Sequence, residues 1–283
     1  MDNIFIFLTI LSQFLLGMYS WLVKTVPTNL STQILARMST YSLLAIVLGL
    51  ASGHLPTTSL THLITMGSLN AVHILSSYFA FQQLPTTVSL PIFYLYPFIN
   101  VFFSSFFLNN PFNYATIPWL LLSFFGAILI VFQTGNISFS IPGLISIIIA
   151  AISESIIYLV FKSKYEPTEF QGIFHLYFGG LIATLIGRAT NLIEPFDFKL
   201  ETWKPLLIFN MLIGFIAFSV LTYSIPHMPT ELYAALAFFG VISAFVFGEL
   251  GKEKKPSVYT YLGAFMIVVS TFAIRYLKID VHN

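Results

Sequence analysis

The sequence has no cysteine and very little charge: eleven Asp/Glu and twelve Lys/Arg make up 8% of 283 residues. Soluble domains carry about 25% charged residues. So few charges cannot cover a globule of this size, which excludes a water-soluble fold, a disordered chain and a secreted scaffold. Without cysteine there are no disulfides, no thiolate catalysis and no Cys-based metal sites. A formal charge of +1 gives no preference for nucleic acid or for an acidic partner. The chain also lacks G-x-S-x-G, a His-rich box and a P-loop, so neither an intramembrane enzyme nor a nucleotide-driven pump finds its machinery here. No metal is expected either, because no His-x-x-x-His or His/carboxylate spacing occurs.

What is present is hydrophobic, with 57% apolar and 17% aromatic residues. A helix needs about 20 residues to cross some 30 Å of hydrocarbon. Ten apolar stretches fit that length: 3–23, 33–52, 62–82, 86–108, 115–134, 142–162, 169–188, 204–224, 230–250 and 256–277. Their continuous apolar character lacks a barrel's alternation, so each is read as a transmembrane helix. The first has no basic n-region and no A-x-A-like site before Lys24, and is read as a span, not a cleaved signal. Little chain remains for a soluble domain, so function must reside in the bilayer or in short connections.

Internal repetition divides the chain. LPTTVSLPIFYLYPFINVFF from Leu84 is echoed by MPTELYAALAFFGVISAFVF from Met228, and LLLSFFGAILIVF from Leu120 by VYTYLGAFMIVVS from Val258. The expected organisation is two five-helix units, 1–135 and 142–283. An odd number of helices per unit turns the second over, giving inverted repeats. An even total places both termini on one side. With cytoplasmic termini, Lys162, Lys164, Arg275 and Lys278 lie inside, against Lys24, Arg37, Arg188, Lys199, Lys204, Lys252, Lys254 and Lys255 outside. The positive-inside rule therefore favours the opposite orientation.

These segments resemble the EamA family of the drug/metabolite transporter superfamily. The resemblance rests on TYSLL after Arg37 with Gly17 and Lys24 upstream, LPTTVSLPIFYLYPF, the GEL at Gly248–Leu250, and Gly126 and Gly263 in the fifth and tenth spans. It implies an all-α membrane protein of ten helices, two inverted five-helix repeats, a central cavity, transport of small organic solutes and cytoplasmic termini. Where the first half of that family carries Glu, this chain has Asn109-Asn110-Pro111, which weakens any role for Glu249.

Polar residues inside hydrocarbon are costly and mark candidate sites. At 100° per residue, Gln13, Gly17, Ser20 and Lys24 form one stripe on the first span. Lys24 reads either as a snorkelling cation or as a group at a cavity mouth, and Arg37 as a structural anchor or a cavity group. Asn70, His73 and Ser77 share a face of the third span, where His73 is either an interhelical hydrogen bonder or a substrate- or proton-binding group. In the fourth span Pro91 and Pro97 should loosen the backbone at Thr87 and Phe93. Ser89, Tyr96, Asn100 and Ser104 fall on one face of that interrupted helix, the strongest site signal in the chain. Glu154, beside Ser153 in the sixth span, has no evident partner and must be protonated, paired or wet. His175 and Glu231 are weaker candidates, Glu231 also reading as a helix N-terminal acid after Pro229. Tyr94, Tyr96 and Tyr233 could stack on a planar or cationic group. Gly49 and Gly53 form a G-x-x-x-G suited to close helix contact.

The sequence is therefore expected to encode a multi-pass secondary transporter, in the plasma membrane by preference, for an amino acid or similar zwitterionic or amphipathic solute. The expected substrate-binding set is Gln13, Lys24, Asn70, His73, Ser89, Tyr94, Tyr96, Asn100, Glu154 and Glu231. Protons are a candidate coupling ion; no cofactor is expected, and the chain is expected to be a monomer or homodimer. Transport of nucleotide-derived metabolites and a non-transporting membrane scaffold are the alternatives.

Overall fold

Helices occupy each of the ten apolar stretches in the computed structural model, which describes residues 3–26, 28–53, 59–84, 86–111, 113–131, 140–163, 169–249 and 257–277. In chain order they are α1 (Asn3–Leu16), α2 (Tyr19–Thr25), α3 (Leu30–Ala51), α4 (Leu60–Gln83), α5 (Thr86–Phe93), α6 (Tyr96–Phe107) and α7 (Ile117–Val131). There follow α8 (Ile141–Lys162), α9 (Glu169–Ala189), α10 (Leu200–Phe209), α11 (Ile216–Ser224), α12 (Thr230–Ala237), α13 (Phe239–Glu249) and α14 (Val258–Tyr276). Among the described residues there is no strand. Eight helical segments are long and apolar enough to cross a membrane. The 24-residue α4 is not among them, because Asn70, His73 and a series of Ser, Thr and Gln lower its hydropathy. The segment Tyr114–Ile130 is apolar but shorter.

The polarity of the molecule is inverted relative to a soluble protein. Leu43, Phe102, Phe106, Ile145, Ile186, Leu212 and Phe265 are exposed, while Gln13, Arg37, Asn70, His73 and Glu231 are buried. An apolar exterior, with polar groups enclosed in a largely apolar core, is the arrangement an integral, multi-pass membrane protein requires.

Four segments are interrupted: one break parts α12 from α13 at Phe238, and the other three have an identifiable reason. Between α1 and α2 the Met18 amide bonds Leu15 at 3.2 Å instead of Phe14; the Phe14 carbonyl is taken by the Ser243 hydroxyl of α13. Between α5 and α6, Pro97 cannot supply the N–H that Phe93 would accept. The chain turns at Tyr94–Leu95, whereas Pro91 stays inside α5 without a break, contrary to the expectation of loosening at Thr87. A π-helical turn, Asn210–Phe215, joins α10 to α11, a device often found at functional sites. The G-x-x-x-G reading of Gly49 and Gly53 is also corrected. Gly53 adopts φ 76° just after the C-cap Ser52, and no atom lies within 4 Å of where its Cβ would stand, so it ends α3 and makes no helix contact.

α7 packs along α14, and α4 lies against both α8 and α9. α3 packs on α9 and on the π-turn, α1 on α11, α12 and α13, and α6 on α8 and α12. At the α7–α14 crossing Gly126 and Gly263 face one another's carbonyls, and a methyl on either would overlap the other's backbone. Arg275 Nη2 donates to Asn3 Oδ1 at 2.5 Å, which brings the start of α1 and the end of α14 to the same end of the bundle.

Candidate functional site

A cavity of about 80 Å³ lies where the interrupted helices meet α3, α4, α8 and α9, with room for several water molecules. Six of the predicted site residues line it: Gln13, Asn70, His73, Tyr94, Tyr96 and Glu154. The two titratable members touch. His73 Nε2 of α4 lies 3.3 Å from Glu154 Oε2 of α8, the partner that sequence spacing did not reveal for this carboxylate. On its other side His73 Nδ1 is 3.2 Å from the Ala150 carbonyl and 3.3 Å from Ser153 Oγ.

This geometry is compatible with two protonation levels. When Nδ1–H donates to Ala150, the contact between Nε2 and Oε2 must contain a proton, held by either group. When one proton is lost and the remaining ring proton sits on Nε2, Nε2–H donates to the carboxylate and Nδ1 accepts from the Ser153 hydroxyl. In both cases the ring nitrogens are satisfied, which is what a buried titrating pair needs to change charge without leaving an orphaned polar group.

Arg37 also lines the cavity, although its place near the start of α3 had favoured the anchoring reading. Nη1 donates to Tyr78 OH at 3.3 Å and Nη2 to Tyr177 OH at 3.0 Å. The guanidinium carbon stands 4.2 Å from the Tyr19 ring centroid, 5.4 Å from that of Tyr41, and 5.8 Å from those of Tyr78 and Tyr177. Tyr19 OH in turn donates to Asn210 Oδ1 at 2.7 Å and is 2.8 Å from Tyr41 OH, so the π-turn holds this tyrosine box in place. Gly214, on the same turn, meets the Tyr19 and Tyr41 hydroxyls where a side chain would begin. These four tyrosines do not stand out in the sequence, because aromatic residues are common throughout the chain. The one available signal is Tyr41, a helical turn after Arg37 and so on the same face.

Gln13 sits at the floor of the cavity. Its Nε2 donates to Tyr233 OH and its Oε1 accepts from Tyr96 OH, both at 3.4 Å. The Tyr233 ring packs tilted against Tyr158, 4.6 Å between centroids, and the Tyr158 hydroxyl donates to Thr230 Oγ1 at 3.0 Å. Thr230 also meets Ser104 Oγ at 3.0 Å and accepts from Asn110 Nδ2 at 3.4 Å. A hydroxyl has one proton to give and room to accept twice. Thr230 therefore serves all three partners, joining α6, α8 and α12 across the end of the bundle that carries both termini.

Four predicted residues lie away from the cavity. Lys24 is exposed in the last turn of α2, where a cation suits the helix C-terminus. Ser89 and Asn100 are fully buried, their side chains have no hydrogen-bond partner among the described residues, and neither is a wall of this cavity. Glu231 is buried in the first turn of α12 and accepts from the Asn113 amide at 3.5 Å. His175 packs edge-on against His62, 5.3 Å between ring centroids. The side chains of Ser20 and Glu249 lie outside the described residues. Among the described residues no three of His, Asp and Glu converge as metal ligands.

No protein-family model matches the chain. It is similar to the pseudopaline exporter CntI of Pseudomonas aeruginosa, with 20% identity over 219 residues, 76% of this chain and 75% of the exporter. The same figures hold for strains UCBPP-PA14 and PAO1. A solved crystal structure superposes with a TM-score of 0.79 over 98% of this chain and 100% of that one at 16% identity, a likeness of fold alone.

Proposed function

We propose that this chain is a secondary transporter, moving a small zwitterionic or amphipathic solute such as an amino acid by alternating access. The observation that carries the reading is the His73–Glu154 pair, which sits with Arg37 on one buried cavity inside an apolar bundle. Charges in hydrocarbon are retained where they do work on a solute or ion. The similarity to a membrane exporter supports the same reading. A cavity of about 80 Å³ favours a small solute over a nucleotide-derived one.

We further assign the chain to the EamA type of drug/metabolite transporter, with ten spans as two inverted five-helix repeats, 1–135 and 142–283, and cytoplasmic termini. The helix pairings support this. Exchanging each span with the one five places on maps α3 on α9, α6 on α12 and α7 on α14 to themselves. The same exchange carries the α4–α8 contact into that between the π-turn span and α1. The pair shared by His73 and Glu154 is the proton carrier in this account, since it can gain or lose one proton with its hydrogen bonds intact.

The test is flux into proteoliposomes containing the purified chain, screened with L-amino acids, nucleotide derivatives and sugar phosphates, with and without a pH gradient. Concentrative, gradient-dependent uptake of at least one amino acid is expected. Uptake confined to nucleotide derivatives would move the substrate class, and flux no greater than in empty vesicles for every solute would favour a scaffold.

A further inference from the structure

The Arg37 guanidinium is more than nine-tenths buried, and among the described residues no carboxylate oxygen comes within 4 Å of it. Its two hydrogen bonds, to Tyr78 and Tyr177, use two of five N–H donors; Nε is buried and makes none. Aromatic faces attract a desolvated cation. That attraction is smaller than the cost of taking an ion out of water, even after relaxation. The tyrosine box therefore offsets only part of the cost of placing Arg37 there, and the remainder calls for an anion on the cavity side. Glu154 lies on the same cavity and feels the Arg37 charge, but its carboxylate contacts His73 and makes no ion pair with Arg37, so the guanidinium has no anion in direct contact among the described residues.

We propose that Arg37, framed by Tyr19, Tyr41, Tyr78 and Tyr177, is the binding site for the carboxylate of a small organic anion. The planar fork of a guanidinium matches a carboxylate in geometry and charge, and the tyrosine hydroxyls hold two of its edges so that the rest stay aimed at the ligand. The box walls are aromatic, so an apolar or aromatic group next to the carboxylate is accepted. This inference rests on the reading of the cavity as a solute site and narrows it: a solute lacking a carboxylate is excluded.

The test uses the full chain in detergent at constant ionic strength, with benzoate against its neutral analogue benzamide, and inorganic phosphate as a third arm. Benzoate should raise the thermal midpoint in a saturable way; benzamide and phosphate should not. Arg37→Gln should abolish the shift, and Arg37→Lys, which keeps the charge without the fork, should weaken apparent affinity at least tenfold. A second measurement needs no variant: phenylglyoxal labelling read by mass spectrometry, where benzoate should protect Arg37 but not Arg188 or Arg275. Equal protection by benzoate and benzamide, an unchanged shift in Arg37→Gln, or labelling of Arg37 indifferent to benzoate would overturn the assignment. Phosphate acting in place of benzoate would overturn the carboxylate class. Benzoate protection in a protein that moves no solute would remove the transport reading and leave this one standing.

Discussion

At the scale of the residue, the polar groups of this chain divide by the company they keep. His73 and Glu154 were each legible as costly polar residues in mid-span, but their contact was not, because it joins α4 to α8 and no sequence period reports on separate helices. Arg37 was visible and its box was not, since tyrosines carry no information where 17% of the chain is aromatic. Gly214 gives a direct test of that box. A methyl there would overlap the hydroxyls of Tyr19 and Tyr41, which bond to each other, Tyr19 also donating to Asn210. Gly214→Ala is expected to destabilise the protein by about 1–3 kcal/mol, the usual cost of overpacking. Thermal unfolding in detergent reads this, and an unchanged midpoint would mean the box is slack.

At the scale of the element, the phase arithmetic worked where helices run unbroken and failed where they do not. Asn70, His73 and Ser77 all reach the cavity from the continuous α4. The stripes drawn along the first and fourth spans scattered: Gln13 and Gly17 line the cavity while Lys24 does not, and Tyr96 does while Ser89 and Asn100 do not. The turns at Gly17–Met18 and Tyr94–Leu95 reset the angle for Lys24 and for Ser89, which lie across them from Gln13 and Tyr96; Asn100 shares the Tyr96 face of α6 and misses the cavity by lying one helical turn further along. Pro97→Ala would restore the N–H that Phe93 lacks. It is expected to leave thermal stability equal or higher while lowering transport, and full transport in that variant would show the break to be incidental. Thr230→Val would leave Ser104, Asn110 and Tyr158 without their shared partner, at about 1–3 kcal/mol for groups that stay buried. Because the chain has no cysteine, a single Ala234→Cys one turn along α12 can report the result. Its maleimide labelling should quicken roughly tenfold for every 1.4 kcal/mol removed from the seal. Unchanged labelling would show that the cluster does not close this end.

At the scale of the whole molecule, composition was the most informative feature of the sequence. An apolar exterior follows from 8% charge and 57% apolar content, and it is seen, with the few polar side chains of the spans enclosed in the core. The cavity's position was less legible, since it depends on how interrupted helices cross. Sidedness is a separate matter, for the charge count opposes the cytoplasmic termini assigned by resemblance. A reporter fused at the C-terminus is expected to be active in the cytoplasm, and activity only on the far side would make the charge count the better guide. The central claim is that the His73–Glu154 pair couples a proton to movement of a solute. The most direct measurement is the initial transport rate against pH for the wild type and Glu154→Gln at matched reconstitution, using an amino acid the wild type carries. Glutamine keeps the shape and a hydrogen bond to His73 but cannot titrate. A pH-dependent rate is expected in the wild type and a low or pH-independent rate in the variant; superimposable profiles would make Glu154 a structural residue and leave the pair without a role in coupling.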